Sequence, residues 1–299
     1  MARIPKGAPL CWAAAQMKVL ITGAGGQLGR DLQIHCEAQG DEVVAATHAT
    51  LDIGDRDAVY QAIGGTRPDV VLHAGAFTAV DACESDPDTA FRVNFLGTRW
   101  VADASRRVGA HLVAVSTDYV FDGTKDEPYV EWDVPNPQSV YGRSKRGGEA
   151  EVWDHAPGSA IVRTSWVCGE HGNNMVKTVL KLAARPELAF VDDQRGHPTF
   201  TADLAVGMRR LAVARVPGLF HMTNQGAVSW YEFVAEILES AGHDPAKVRP
   251  IKTADLDPPR PAPRPANSVL DNAALRLAGL PLLPHYRESL DRLVARLTA

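Results

Sequence analysis

The chain has 299 residues, 45% of them hydrophobic, enough for one large α/β domain or a nucleotide domain with a smaller lobe. Its net charge of −5 and lack of any basic run exclude a partner whose phosphate backbone it would track, so no nucleic acid is expected. No apolar stretch approaches the roughly 18 residues a membrane crossing needs. Four scattered cysteines, Cys11, Cys36, Cys83 and Cys168, form no C-x-x-C, and the ten histidines form no ligand cluster. They suggest reduced thiols in a cytoplasmic protein without a built-in zinc site. Residues 1–16, MARIPKGAPLCWAAAQ, end on a faint cleavage-like AAA, but Pro5 and Pro9 interrupt the apolar core of any export signal. A disordered extension is the expectation.

From Met17 the elements follow in a regular rhythm. MKVLIT (17–22) is a short apolar strand that stops at glycines, and QLGRDLQIHCEAQG then has helical spacing up to Gly40. DEVVAA is a second strand, DRDAVYQAI a helix, PDVVLHAGA a third strand, and a long helical stretch lies near 86–108. AHLVAVST is the fourth strand and SAIVRTSW the fifth, with a helix carrying Tyr141 between them. Continuous apolar strands alternating with helices predict an α/β fold: a Rossmann-type doubly wound parallel sheet covered on both faces. The dinucleotide-binding domain is placed at 17–165. Residues 166–299 are assigned mainly to a smaller substrate-binding lobe, with parts near 188–224 returning to the sheet. There NNMVKTVLKLAA and TADLAVGMRRLAVA have helical spacing, while ELAFVDD and GLFHMTN are short strands. DPPRPAPRPAN (257–267) cannot be helix interior and is expected as an extended surface segment before a last helix, HYRESLDRLVARL.

Two motifs carry chemistry. ITGAGGQLGR places Gly23, Gly26 and Gly29 between strand and helix, where glycines admit a tight turn and a helix N-terminus faces a pyrophosphate. The second strand ends Ala46-Thr47-His48 without the carboxylate that would hold a ribose 2′-hydroxyl. That favours NADP over NAD, with Arg30 within reach of the extra phosphate and Asp52 set near the adenine. In SVYGRSKRGGE, Tyr141 and Lys145 stand one helical turn apart. A cation near a phenol favours the phenolate and predicts a lowered pKa, suited to proton transfer. Ser116, Thr117 and Asp118 end the fourth strand, where ligands of doubly wound sheets bind.

The set GAGGQLG, STDYVFDG, VYGRSK, RTSWV and RGHPT resembles the dTDP-4-dehydrorhamnose reductases, extended members of the short-chain dehydrogenase/reductase family, from Met17 to near the C-terminus. The resemblance implies an oxidoreductase of dTDP-rhamnose and cell-wall carbohydrate biosynthesis. It would use NADPH or NADH to reduce the C4 keto group of dTDP-4-dehydro-L-rhamnose to dTDP-L-rhamnose. By motif, Tyr141 is the implied proton donor, Lys145 its helper and ribose ligand, and Thr117 the group that bonds the reacting oxygen. Asp118 and Trp166 would contact the sugar. Gly23, Gly26, Gln27, Leu28 and Gly29 would lie along the pyrophosphate, Asp52 and Ile53 would flank adenine, and Ala76, Phe77 and Thr78 would line the nicotinamide side. Asn173, Asn174, Lys177, Arg260 and Arg264 are weaker candidates toward the sugar or diphosphate.

The chain departs from the family pattern at Gly75, Phe77 and Cys168. Some relatives use a divalent ion at a dimer interface; no matching acidic cluster is recognised here, so no metal is assigned, Mg2+ stays unresolved, and a homodimer is left open. Two other readings compete: a non-catalytic nucleotide-binding subunit like the methionine adenosyltransferase regulatory subunit, and a sugar-nucleotide epimerase or dehydratase. The intact Thr117, Tyr141 and Lys145 weigh against the first; exchangeable rather than retained cofactor would separate the second.

Overall fold

The computed structural model describes residues 16–299; the expectation for the N-terminal extension falls, but for Gln16, outside them. The first half alternates strand and helix. β1 (Lys18–Thr22), α1 (Gln27–Ala38), β2 (Glu42–Ala46), α2 (Arg56–Thr66) and β3 (Val70–His73) come first. Short helices α3 (Val80–Ser85) and α4 (Pro87–Phe91) follow, then a wide π turn at Arg92–Gly97 and α5 (Thr98–Val108). β4 (His111–Thr117), α6 (Val140–His155) and β5 (Ala160–Thr164) complete this part. The second half holds β6 (Val167–Cys168), α7 (Met175–Leu182), β7 (Leu188–Val191), β8 (Arg195–Gly196), β9 (Thr199–Phe200), α8 (Thr201–Ala214) and β10 (Gly218–His221). It ends with β11 (Val228–Ser229), α9 (Trp230–Ser240), β12 (Val248–Ile251), α10 (Ala273–Leu277) and α11 (Tyr286–Thr298).

Six strands form one parallel sheet in the order β10-β5-β4-β3-β1-β2. Period-two alternation divides each strand between two cores. On one face Val19, Ile21, Val70, Leu72, Val113 and Val162 pack under α1 and α8 through Leu28, Leu32, Leu204 and Met208. On the other, Leu20, Val71, Leu112 and Ile161 pack under α2, α5 and α6 through Val59, Ile63, Val101 and Val152. The chain runs outward from β1 to β2, then returns to β3 on the opposite side of β1. This reversal opens a crevice at the carboxyl ends of β1 and β3, where open α/β sheets bind ligands.

A separate apolar cluster joins α7, α9 and α11 around Val176, Phe233, Ile237 and Leu290. β7 pairs there with β12 (Leu188↔Val248), whereas α8 and β10 pack on or in the main sheet. Helix α9 was not anticipated from sequence. Its signal is a capping box, Ser229 accepting from the Glu232 N–H while Glu232 accepts from the Ser229 N–H, ahead of an apolar run. The stretch expected as one helix near 86–108 is interrupted by the π turn. The proline-rich segment has neither helix nor strand and is pinned by Arg264, which meets Asp81 through two nitrogens at 2.6 and 2.8 Å.

Candidate functional site

The glycine loop sits at the sheet's reversal point. Gly23 has φ of +67°, and a Cβ there would lie 2.6 Å from the Cα of Gly75 beyond β3. A Cβ on Gly29 would lie 2.2 Å from the Gly23 carbonyl oxygen. Both glycines are therefore required by backbone packing as much as by any ligand. Gly26 is the N-cap of α1 and supplies no side-chain cap. The first-turn N–H groups of Gln27, Leu28 and Gly29 thus face the crevice with the positive end of the helix dipole. This uncapped cradle fits a dinucleotide pyrophosphate. Gln27 accepts from Asn174 Nδ2 at 2.9 Å, tying the loop to the cap of α7.

Around the cradle, Asp52 pairs with Arg92 at 2.9 Å and accepts from the Gly54 N–H. Burial would raise its pKa, but the bonds from Arg92 and Gly54 bring it below the ordinary carboxylate value. Ile53 is buried against Gly75 and Gly97, where a Cβ would be 3.2 and 2.9 Å from its atoms. Ala76 and Phe77 are half-buried and Thr78 is exposed. Phe77 is held on both sides of its peptide by Asn94, which accepts from its N–H at 2.8 Å and donates to its carbonyl at 3.0 Å. Asn94 also donates to Ser144 on α6. It is fully buried in the π turn. Nothing in its local sequence marks it beyond a polar side chain on a buried helical face.

The glycines and serines around Tyr141 now have physical reasons. Ser139 caps α6 by accepting from the Gly142 N–H at 3.1 Å, and Glu84 accepts from the Val140 N–H at 2.7 Å. A Cβ at Gly142 would lie 2.2 Å from the Tyr119 carbonyl oxygen, and one at Gly148 2.5 Å from that of Asn94. The helix therefore lies tight against the turn after β4 and against the π turn, and Tyr141, Lys145, Thr117 and Asp118 are all buried.

Electrostatics differ from the sequence expectation. Burial pushes the Tyr141 phenol above its ordinary value, the Thr117 hydroxyl opposes this only in part, and the Asp118 charge adds to it. Lys145 does not make the phenol acidic; its ammonium donates to the Val115 carbonyl at 2.7 Å. Burial pulls Lys145 down to about 8, against the pull of Glu149. Asp118 is pushed up to about 6 by burial, with the nearby Ser268 and Thr117 hydroxyls opposing the rise. Thr117 donates to Asp118 Oδ1 at 2.9 Å, while Asp118 Oδ2 is buried without a protein partner. A protonated phenol, a charged amine, a hydroxyl and an under-bonded carboxyl at the mouth of a nucleotide crevice can deliver a proton to an oxyanion and bind a polyol.

Trp166 lies just past β5, whose Thr164 pairs with Thr117 in register. It is half-buried, has φ of +43°, and stacks on Trp230 with centroids 3.6 Å apart. Trp230, the first residue of α9, escaped the sequence reading along with its helix. Of the weaker candidates, Asn174 reaches the glycine loop, Lys177 donates to the Gly172 carbonyl at 3.1 Å, and Arg264 is committed to Asp81. Among the described residues no group of three His, Cys, Asp or Glu could hold a metal ion. No helix among them is long and apolar enough to cross a membrane.

Comparison with known proteins adds three kinds of likeness. A family described as RmlD substrate binding domain matches residues 17–299. A dTDP-4-dehydrorhamnose reductase of Streptomyces griseus is 44% identical over 278 residues, covering 91% of this chain and 91% of the relative. Two crystal structures superpose closely. One is a dTDP-4-dehydrorhamnose reductase from Clostridium acetobutylicum, with a TM-score of 0.91 and 43% identity over 95% of this chain and 100% of that one. The other, from Bacillus anthracis and in complex with NADP, has a TM-score of 0.90 and 38% identity over 94% of this chain and 100% of that one.

Proposed function

The chain belongs to the RmlD substrate-binding-domain family, and from that premise we propose that it reduces the C4 keto group of dTDP-4-dehydro-L-rhamnose to dTDP-L-rhamnose with NADPH. The observation that carries this reading is the convergence of Thr117, Tyr141 and Lys145, all buried, toward the same carboxyl end of the sheet as the uncapped glycine loop. Gly23, Gly26, Gln27, Leu28 and Gly29 would hold the pyrophosphate of NADPH, Asp52 and Ile53 its adenine side, and Ala76, Phe77 and Thr78 its nicotinamide side. NADPH held there would supply the hydride for C4 of the sugar.

As C4 is reduced, negative charge builds on its oxygen, and the Tyr141 hydroxyl gives that oxygen its proton. The phenol carries its proton when the ketone arrives: it is protonated at neutral pH even at its ordinary pKa, and burial moves it further the same way. Lys145, one helical turn from Tyr141, would hold the ribose of NADPH through its ammonium. Thr117, anchored on Asp118, fixes the position of the reacting oxygen.

The test is stoichiometric oxidation of NADPH with dTDP-4-dehydro-L-rhamnose and identification of dTDP-L-rhamnose as product. Protein that purifies with tightly retained nucleotide and yields no net oxidation would instead be an epimerase. Protein that binds NADPH but turns over no keto sugar would be a binding subunit.

Trp166 is assigned to the sugar wall, and the Trp230 stack is what holds its ring in a strained backbone setting. An aromatic pair of this kind contributes about 0.5–1.5 kcal/mol beyond area burial. Trp230→Ala should therefore raise KM for the keto sugar about tenfold and change kcat less than threefold. Trp230→Phe should recover most of the loss in steady-state assays. An unchanged KM in the alanine variant removes Trp166 from the substrate wall.

A further inference from the structure

Eight residues after Tyr141 and four after Lys145, Glu149 is the third polar side chain on one stripe of α6. It is 3% exposed, and its carboxylate is encased. Arg163 on β5 donates to both oxygens at 2.7 Å, Ser116 on β4 donates at 2.6 Å, and Arg146 stands at 3.7 Å. Glu149 and Lys145 line the same small cavity between α6, α5 and the sheet, with Thr98 and Ser116 as its other polar walls. Its volume, about 10 Å³, is close to room for a single water.

The surrounding charges make this carboxylate matter. Lys145 spends one N–H on the Val115 carbonyl and has two more to satisfy. On β3, His73 is held neutral, pulled down to about 3 by burial and by Lys145 itself. Beyond β4 stand Asp118, pushed up to about 6, and Tyr119, raised by burial. On α3, Cys83 is raised to about 11 and Glu84 is committed to the helix cap. In the π turn Arg92 is turned to Asp52, and Arg99 on α5 faces Glu151 of α6. Tyr141 itself stays protonated. Glu149, with Arg163 behind it, is therefore a buried carboxylate one helical turn from the lysine and on the same cavity.

We propose that Glu149 is a positioning residue for the reduction, holding Lys145 in its ammonium form from across the shared cavity, with Arg163 setting how much negative charge reaches the lysine. This deepens the reading of Lys145 as a working member of the site and rests on it. A purely structural ion pair predicts only stability effects, since apolar replacements of buried pairs are often tolerated. The proposal predicts a titration effect of defined sign. Removing the carboxylate disfavours the ammonium, so the lysine loses its proton at lower pH. Removing Arg163 leaves the carboxylate unshared and does the reverse.

The experiment is the pH profile of kcat/KM for the parent, Glu149→Gln, Arg163→Met, the double variant and Lys145→Met, each checked for folding by thermal melting. The alkaline limb should move down by about one pH unit in Glu149→Gln. That would read as roughly tenfold loss against the parent at pH 8.5 and less than threefold at pH 6.5. In Arg163→Met the limb should move up. Should either single variant not fold, the double variant decides, and its limb must also lie below that of the parent. An alkaline limb identical to the parent's in the folded variants overturns the proposal. Lys145→Met separates the two layers: if it keeps parental rate and limb, the role of the lysine fails, and otherwise only that of Glu149 is in question.

Discussion

Replacing Tyr141 with phenylalanine is expected to lower kcat for keto-sugar reduction by about a thousandfold, within the range that general acid catalysis supplies, while NADPH binding changes less than threefold. The ring packs edge-on against Tyr119, with centroids 5.6 Å apart, in a cluster with Cys83, Ala90 and Val140. Phenylalanine keeps all of those contacts, so loss of the hydroxyl alone is tested. Thermal melting should show a folded protein with a transition near that of the parent. Because burial holds the phenol above its ordinary value, its own ionisation should not limit the reaction anywhere near neutral pH. The alkaline limb of the parent's profile should instead track Lys145, near 8. Turnover of the phenylalanine variant within tenfold of the parent would sink the assignment of Tyr141 as proton donor.

The sheet and the glycine loop were legible because each is written in a local pattern. Apolar runs bounded by glycine mark β1, β3 and β4, and the strand–glycine–helix succession marks the crevice. The Tyr141–Lys145 spacing was equally plain, but the chemistry inferred from it was wrong in sign. Spacing reports how near a cation lies along a helix, whereas the phenol's pKa is decided by how deeply the helix is buried. That depth depends on Gly142 and Gly148 meeting carbonyls of Tyr119 and Asn94, contacts between elements far apart in sequence. Asn94, Trp230 and the Glu149–Arg163 pair went unnoticed for the same reason. Each acquires its role from a partner on another element: Phe77 and Ser144, Trp166, and β5 across from α6. The proline-rich segment shows the limit in the other direction. Its composition predicts an extended strip, but only the fold shows Arg264 spent on Asp81 and not free for a diphosphate.

Gly29→Ala should be the most damaging single-methyl change in the cofactor site. The added Cβ would lie 2.2 Å from the Gly23 carbonyl oxygen and 2.6 Å from the Ala24 Cα. Both are backbone atoms, so no rotamer change relieves the contact. The same carbonyl accepts from the Gly26 N–H at 2.9 Å, which closes the turn that presents the α1 N-terminus. Making room for the methyl therefore means opening that turn and re-aiming the first-turn N–H groups. Overpacking of this kind typically costs about 1–3 kcal/mol of stability. NADPH affinity, measured by fluorescence titration, should fall more than tenfold, equivalent to about 1.4 kcal/mol or more. Gly64→Ala is the matched control. Gly64 lies exposed within α2 with open space around its Cβ position, so alanine there should stabilise the fold by about 0.5–1 kcal/mol through helix propensity and leave NADPH affinity unchanged. If Gly29→Ala bound NADPH as tightly as the parent, the pyrophosphate would have to be held elsewhere than on the turn this methyl opens.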